Sequence, residues 1–231
     1  MIFIGLDLSK ISTALCIENQ GINSLYNYTT KKLNNIWIKK TIDFINYKNI
    51  IYKYNDEKEY SKREISKLNE FDSITDLIIT DISNSVKDND DIKIGIEGYS
   101  YNSKGPIFDL IEFSTMLKLK LMHNYTDINI ISPLTLKSEA CKMVYQPRIE
   151  LKGKRVIKQI LHYENTKGKQ ATNFDKWDMF YAYIESDIDM KLKEWCMKNL
   201  NDIVKGKEVP KPLDDCIDSI FIKEMIKNHG K

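Results

Sequence analysis

The chain has no C-x-x-C pair. Its four cysteines, Cys16, Cys141, Cys196 and Cys216, are widely separated, and its three histidines, His123, His162 and His229, stand apart from them. This spacing argues against a zinc site and fits reduced core thiols in an intracellular protein. Glycine is scarce, at nine of 231 residues, too few for a set of Gly-rich phosphate loops, so no nucleotide cofactor is expected. There is no charge excess to speak of: the formal net charge is +2, so any nucleic-acid surface must be a local patch. No run reaches the roughly 18 apolar residues of a membrane span, and no solenoid-period repeat is present. Met1 to Leu8 is short and apolar, contains Asp7 and lacks a basic lead. It reads as a first strand, not a signal peptide. An intracellular protein is expected, and the richness in Lys, Asn and Ile suits a virus or a low-GC microbe.

What is present fits one globular domain over 1–231: 42% hydrophobic and 29% charged residues, enough for one core with insertions. Ile2, Ile4, Leu6 and Leu8 alternate with Phe3, Gly5 and Asp7, a strand pattern. Residues 12–18 and 24–30 read as two more strands around a turn at 21–23, an antiparallel meander. Residues 31–56 show no period and read as an insertion. Apolar residues from Ile65 to Ile82 recur at helical spacing over 61–87. Ile92 to Glu97 is a buried strand, 107–123 a helix and 128–131 a short strand. Pro133 opens the next helix. Helices are expected over 149–163, 174–200 and 214–227, with a polar loop at 205–212. Strands first, then alternation, then helices predict a mixed α/β sheet flanked by helices.

Two segments nearly repeat each other: Ile4-Gly5-Leu6-Asp7 and Ile94-Gly95-Ile96-Glu97. In each, a glycine shares the face of the acid two residues later, leaving space there. If the strands are neighbours, the two carboxylates repel and a divalent cation relieves them. A third acidic group lies in Pro212-Leu213-Asp214-Asp215-Cys216-Ile217-Asp218. Asp214 reads as an N-cap. Asp215 and Asp218, three apart, share a helix face, although an acidic first turn also suits the helix dipole by itself. Hard oxygen donors of this kind suit Mg²⁺ or Mn²⁺. A pair of such ions can drive phosphodiester hydrolysis.

With these motifs in this order, the chain resembles the RuvC family of the RNase H-like superfamily. That family carries an Asp in strand one, a Glu ending the fourth strand and a D-x-x-D opening the last helix. The matching residues here are Asp7, Glu97, Asp215 and Asp218. The resemblance implies a five-stranded mixed sheet with its first three strands antiparallel, carrying insertions near 31–60 and 166–210. It further implies a homodimer, branched DNA as partner, two Mg²⁺ per subunit (Mn²⁺ as substitute) on those four acids, and paired nicking of four-way junctions. Lys137 fits one family lysine. Lys154 fits the other, with an expected catalytic role near the scissile phosphate. The family's aromatic position is Ser100 here, so Tyr99 or Tyr101 would substitute. The family's Gly-rich stretch between the lysines is replaced by 143–150.

Residues 137–169 hold nine Lys or Arg against three acids. Lys137, Lys142, Arg148, Lys152, Arg155 and Lys158 are the expected phosphate contacts; a solvated basic face is the alternative. The aromatic run 174–183 could stack on bases or simply pack a core. Other readings are a related nuclease for flaps, branched replication DNA or RNA–DNA hybrid, and a non-catalytic DNA-binding module. An actin-like ATPase would use Ile4–Ser9 as a first phosphate loop, but no second loop of that kind follows.

Overall fold

In this computed structural model the described residues are 1–32, 35–86, 91–99, 107–142, 147–152, 155–161, 174–188 and 190–228; for 147–152 and 155–161 the description covers the backbone only. Strand β1 (Ile2–Asp7) pairs antiparallel with β2 (Ser12–Asn19), which pairs antiparallel with β3 (Ile22–Thr29). The β2–β3 turn places Gln20 and Gly21 at positive φ. On its other side β1 pairs parallel with β5 (Ile92–Glu97), and β5 pairs parallel with β6 (Asp127–Ile131).

The antiparallel meander and the mixed sheet match the RNase H-like expectation. The strand count does not: among the described residues the sheet has six strands, in the order β4-β3-β2-β1-β5-β6, rather than five. The extra edge strand β4 (Asn46–Asn49) comes from the region expected to be an insertion, after the short helix α1 (Ile36–Thr41). It runs parallel to β3, with Tyr26 beside Asn46 and Thr29 beside Asn49. Its sequence, Asn-Tyr-Lys-Asn, has no hydrophobic alternation because an edge strand is only half buried.

Helices cover both faces. Ile2, Ile4, Leu6 and Leu8 point into a core with Phe71 and Ile78 of α2 (Tyr60–Ser85) and Phe113 and Leu117 of α3 (Ile107–Asn124). On the opposite face lie α4 (Pro133–Lys142), α5 (Lys176–Glu185), α6 (Lys191–Lys198), the short α7 (Leu200–Ile203) and α8 (Leu213–Asn228). Leaving about 200 Å² of aromatic side chain exposed would forfeit several kcal/mol, and Phe174, Phe180 and Tyr183 are instead buried here. Trp177 and Tyr181 pack partly buried against the same core, so the run serves chiefly as core packing. Among the described residues, no helix is long and apolar enough to cross a membrane.

Three expectations are corrected. Residues 149–163 form no helix: β7 (Pro147–Lys152) and β8 (Arg155–Leu161) make an antiparallel hairpin, with Arg148 opposite Ile160. Its β-branched residues Ile149, Val156, Ile157 and Ile160 favour strand, but a short apolar stretch does not reveal its period. The helix expected over 174–200 is interrupted after Glu185. Asp214 is not an N-cap. The last helix begins one residue earlier, with Leu213 N–H donating to Pro210 O at 2.8 Å.

Candidate metal centre

The centre depends on how closely α8 lies on the sheet. In register, Gly5 stands beside Gly95 and Leu6 beside Ile96, which carries Asp7 and Glu97 to adjacent strand ends. The space left by the glycines is filled by α8. A Cβ on Gly5 would sit 2.0 Å from Ser219 O and 2.6 Å from Lys223 N, and one on Gly95 would sit 2.7 Å from Ile222 Cγ2. Only hydrogen at these positions lets the helix settle there. With the helix seated, its first turns bring Asp215 and Asp218 over the ends of β1 and β5.

Asp7, Glu97 and Asp218 each offer a carboxylate oxygen within 4.8 Å of the other two. Asp7 and Asp218 are buried and Glu97 is partly exposed. The centre opens into a cleft of about 270 Å³ whose lining includes Asp7, Glu97, Tyr99, Lys137, Lys176, Lys211 and Asp215.

Two of these lysines carried no signal in the sequence. Lys176 Nζ donates to Asp218 Oδ2. It is the first residue of α5, held there by a capping box: Asp175 Oδ1 accepts from Trp177 N and Asp178 N, while Asp178 Oδ2 accepts from Asp175 N at 2.7 Å. Lys211 Nζ donates to Asp215 Oδ1 and lies 3.2 Å from Asp214 Oδ2.

The two cations do not satisfy the acids. Asp214 Oδ1, Asp215 Oδ2 and Asp218 Oδ1 are buried with no hydrogen-bond partner among the described residues. Burial raises the Asp7 carboxyl well above its usual range, and the neighbouring Glu97 raises it further against the pull of Lys176 and Lys211. Glu97 is raised by burial, with Asp218 adding to it and the Asp7 hydrogen bond opposing. Asp218 is pushed up to about 7 by burial, with Lys176 opposing and Asp7 adding. Asp215 is pushed up to about 7 by burial and by the charges of Asp214 and Asp7, with Lys211 opposing. For Lys176 and Lys211 burial works against the ammonium form, yet the surrounding carboxylates hold both above an ordinary lysine. The cluster is thus short of positive charge. Hard oxygen donors, unpartnered and buried, fit a divalent cation.

Other expected residues are placed less centrally. Asp215 adjoins the centre but lies outside the group of three. Lys137 lines the cleft. Tyr99 also lines it, pinned to α3: its hydroxyl donates to Ile111 O at 3.2 Å and lies 3.2 Å from Thr115 Oγ1, and Lys118 Nζ sits 4.0 Å from its ring centroid. Lys142 pairs with Glu139 at 2.7 Å and does not line the cleft. Arg148, Lys152, Arg155 and Lys158 lie on the β7–β8 hairpin, where only the backbone is described. Lys154 and Tyr101 lie outside the described residues.

No family model matches the sequence, and no curated protein matches it. Among solved structures, the chain is similar to Thermus thermophilus RuvC, at 9% identity over 100% of this chain and 97% of that one, with a TM-score of 0.42. It is similar to T. thermophilus RuvC in complex with a Holliday junction substrate, at 9% identity over 100% and 96%, with a TM-score of 0.43. It is also similar to the yeast mitochondrial Holliday junction resolvase Ydc2, at 12% identity over 95% and 75%, with a TM-score of 0.41. Likeness at this level does not reach activity, which has to be read from the centre itself.

Proposed function

We propose that the chain is a divalent-metal-dependent endonuclease acting on four-way DNA junctions. One observation carries this reading: Asp7, Glu97 and Asp218, from two parallel strands and a helix, bring carboxylate oxygens within 4.8 Å of one another at a cleft lined by Asp7 and Glu97. Mg²⁺, with Mn²⁺ as substitute, would be held by these acids, with Asp215 alongside. Bound there, the ion would activate water and neutralise charge on a phosphodiester.

The chain's own residues prepare the rest. The α8–sheet contact fixes the acids on rigid elements, which favours precise geometry. Lys137, Lys176 and Lys211 line the same cleft and would draw a phosphate towards the acids. The basic stretch 137–169 would track the backbone of the DNA arms. A homodimer is supported by an apolar stripe on α3, where Phe108, Ile111, Leu119 and Met122 are exposed at helical spacing. A two-fold pair of centres suits paired nicks across a junction.

The test is cleavage of a synthetic four-way junction with Mg²⁺, beside linear duplex, a flap and an RNA–DNA hybrid. Junction-selective nicks are expected. Asp7→Asn should lose activity by roughly 10³-fold, the several kcal/mol that a catalytic metal supplies, while still binding the junction. Cutting confined to flaps or hybrid would keep the centre and discard the junction. Wild-type cutting by Asp7→Asn would discard the centre itself.

A further inference from the structure

We propose that Lys211 takes the place of a second cation, so that the chain loads a single divalent ion, on Asp7, Glu97 and Asp218. This rests on reading the centre as a metal site and departs from the two ions expected from the family resemblance.

The two lysines of the centre are not equivalent. Lys176 engages Asp218 Oδ2 and leaves Asp218 Oδ1 unpartnered, so Asp218 still has an oxygen to give to the group of three. Lys211 engages Asp215 Oδ1 and approaches Asp214 Oδ2 at 3.2 Å. Asp215, the residue a second ion would need, does not belong to the group whose oxygens lie within 4.8 Å of one another.

The Lys211 contact is also local. Lys211 stands three residues before Asp214 and four before Asp215, on the segment that leads into α8. Once that segment is ordered, little further chain entropy is lost in holding the pair. An incoming ion would have to displace an ammonium that two buried carboxylates hold, and then sit beside it against like-charge repulsion.

The experiment counts ions without DNA. Mn²⁺ is titrated into the full wild-type chain by calorimetry, with free Mn²⁺ followed by electron paramagnetic resonance, and Lys211→Met and Lys211→Gln are treated identically. One ion per wild-type chain is expected, with a second site appearing in both variants or tightening at least tenfold. Two ions of comparable affinity in the wild type would overturn the proposal while leaving the metal centre intact. A single ion in wild type and in a folded variant would overturn the part given to Lys211. No binding to a wild-type chain with native circular dichroism would remove the metal centre and the nuclease reading with it. The wild-type count decides the stoichiometry even if one variant does not fold.

Discussion

Helix α8 carries a buried charge cluster at each end, and the two are built to opposite rules. Towards its C-terminal end, fully buried Lys223 donates to Glu18 Oε2 at 2.7 Å, to Asn23 Oδ1 at 3.0 Å and to Glu224, and Lys227 reaches the other oxygen of Glu18 at 2.5 Å. The three donor protons of Lys223 find acceptors, and Glu18 is held below its usual range: burial opposes this, but the two lysines outweigh it. At the N-terminal end the acids outnumber the cations, and three carboxylate oxygens have no partner among the described residues. A cluster that holds a fold together completes its hydrogen bonds. One that leaves them open in the same helix offers donors that fit a divalent cation.

That contrast can be broken from either end. The largest stability effect is expected from Lys223→Met, which leaves Glu18 buried with only Lys227. Removing one partner of a buried pair costs about 3–5 kcal/mol, which corresponds to a fall in Tm of roughly 6–20 °C for a chain of this size. A Tm within 2 °C of wild type would show that the C-terminal cluster is not structural.

A smaller effect is expected from the ion itself. Because Asp215 and Asp218 are raised to about 7 in the folded chain, above their unfolded values near 4, their contribution to stability is fully present below pH 4. It is lost as the pH rises through about 7. The metal-free chain should therefore have a lower Tm at pH 8 than at pH 5. Mg²⁺ at about 100 times its Kd should add about 2.7 kcal/mol at pH 8 and clearly less at pH 5. Equal gains at both pH values, measured by calorimetry, would contradict an over-acidic centre.

The smallest effect should have the opposite sign to the first. Asp218→Asn removes one buried negative charge from a cluster with too many, so the metal-free Tm at pH 8 should rise by a few degrees, as about 1 kcal/mol would give. A fall instead would mean that the Lys176–Asp218 pair stabilises the chain as Lys223 does.

Much of this was readable from the sequence because it repeats or keeps a period. The Gly-x-acid pair at 5–7 and 95–97 is a pattern in itself, and it is reproduced in register. Asp215 and Asp218 stand out because three residues is a helical spacing. Lys176 and Lys211 show no such mark. Each is one lysine in a polar stretch, and what matters about it is an acid brought near by folding. The residues of β4 are equally silent, since their pairing is imposed by β3 rather than by alternation. The β7–β8 hairpin is not legible in the sequence because its apolar residues are compatible with two periods. The glycines mark a space in the sequence, but only the fold reveals that a helix backbone fills it.

The seating of α8 on Gly5 also has a consequence in time. A chain is made from its N-terminus at about 5–20 residues per second, so β1 and β5, with Asp7 and Glu97, exist well before Asp218 does. Until α8 has been synthesised and has docked, two of the three grouped acids stand without the third, and the space over Gly5 and Gly95 is unfilled. A growing chain therefore carries no armed centre. The group of three carboxylates is complete only when the helix that completes the core is in place, so folding itself is the safety catch.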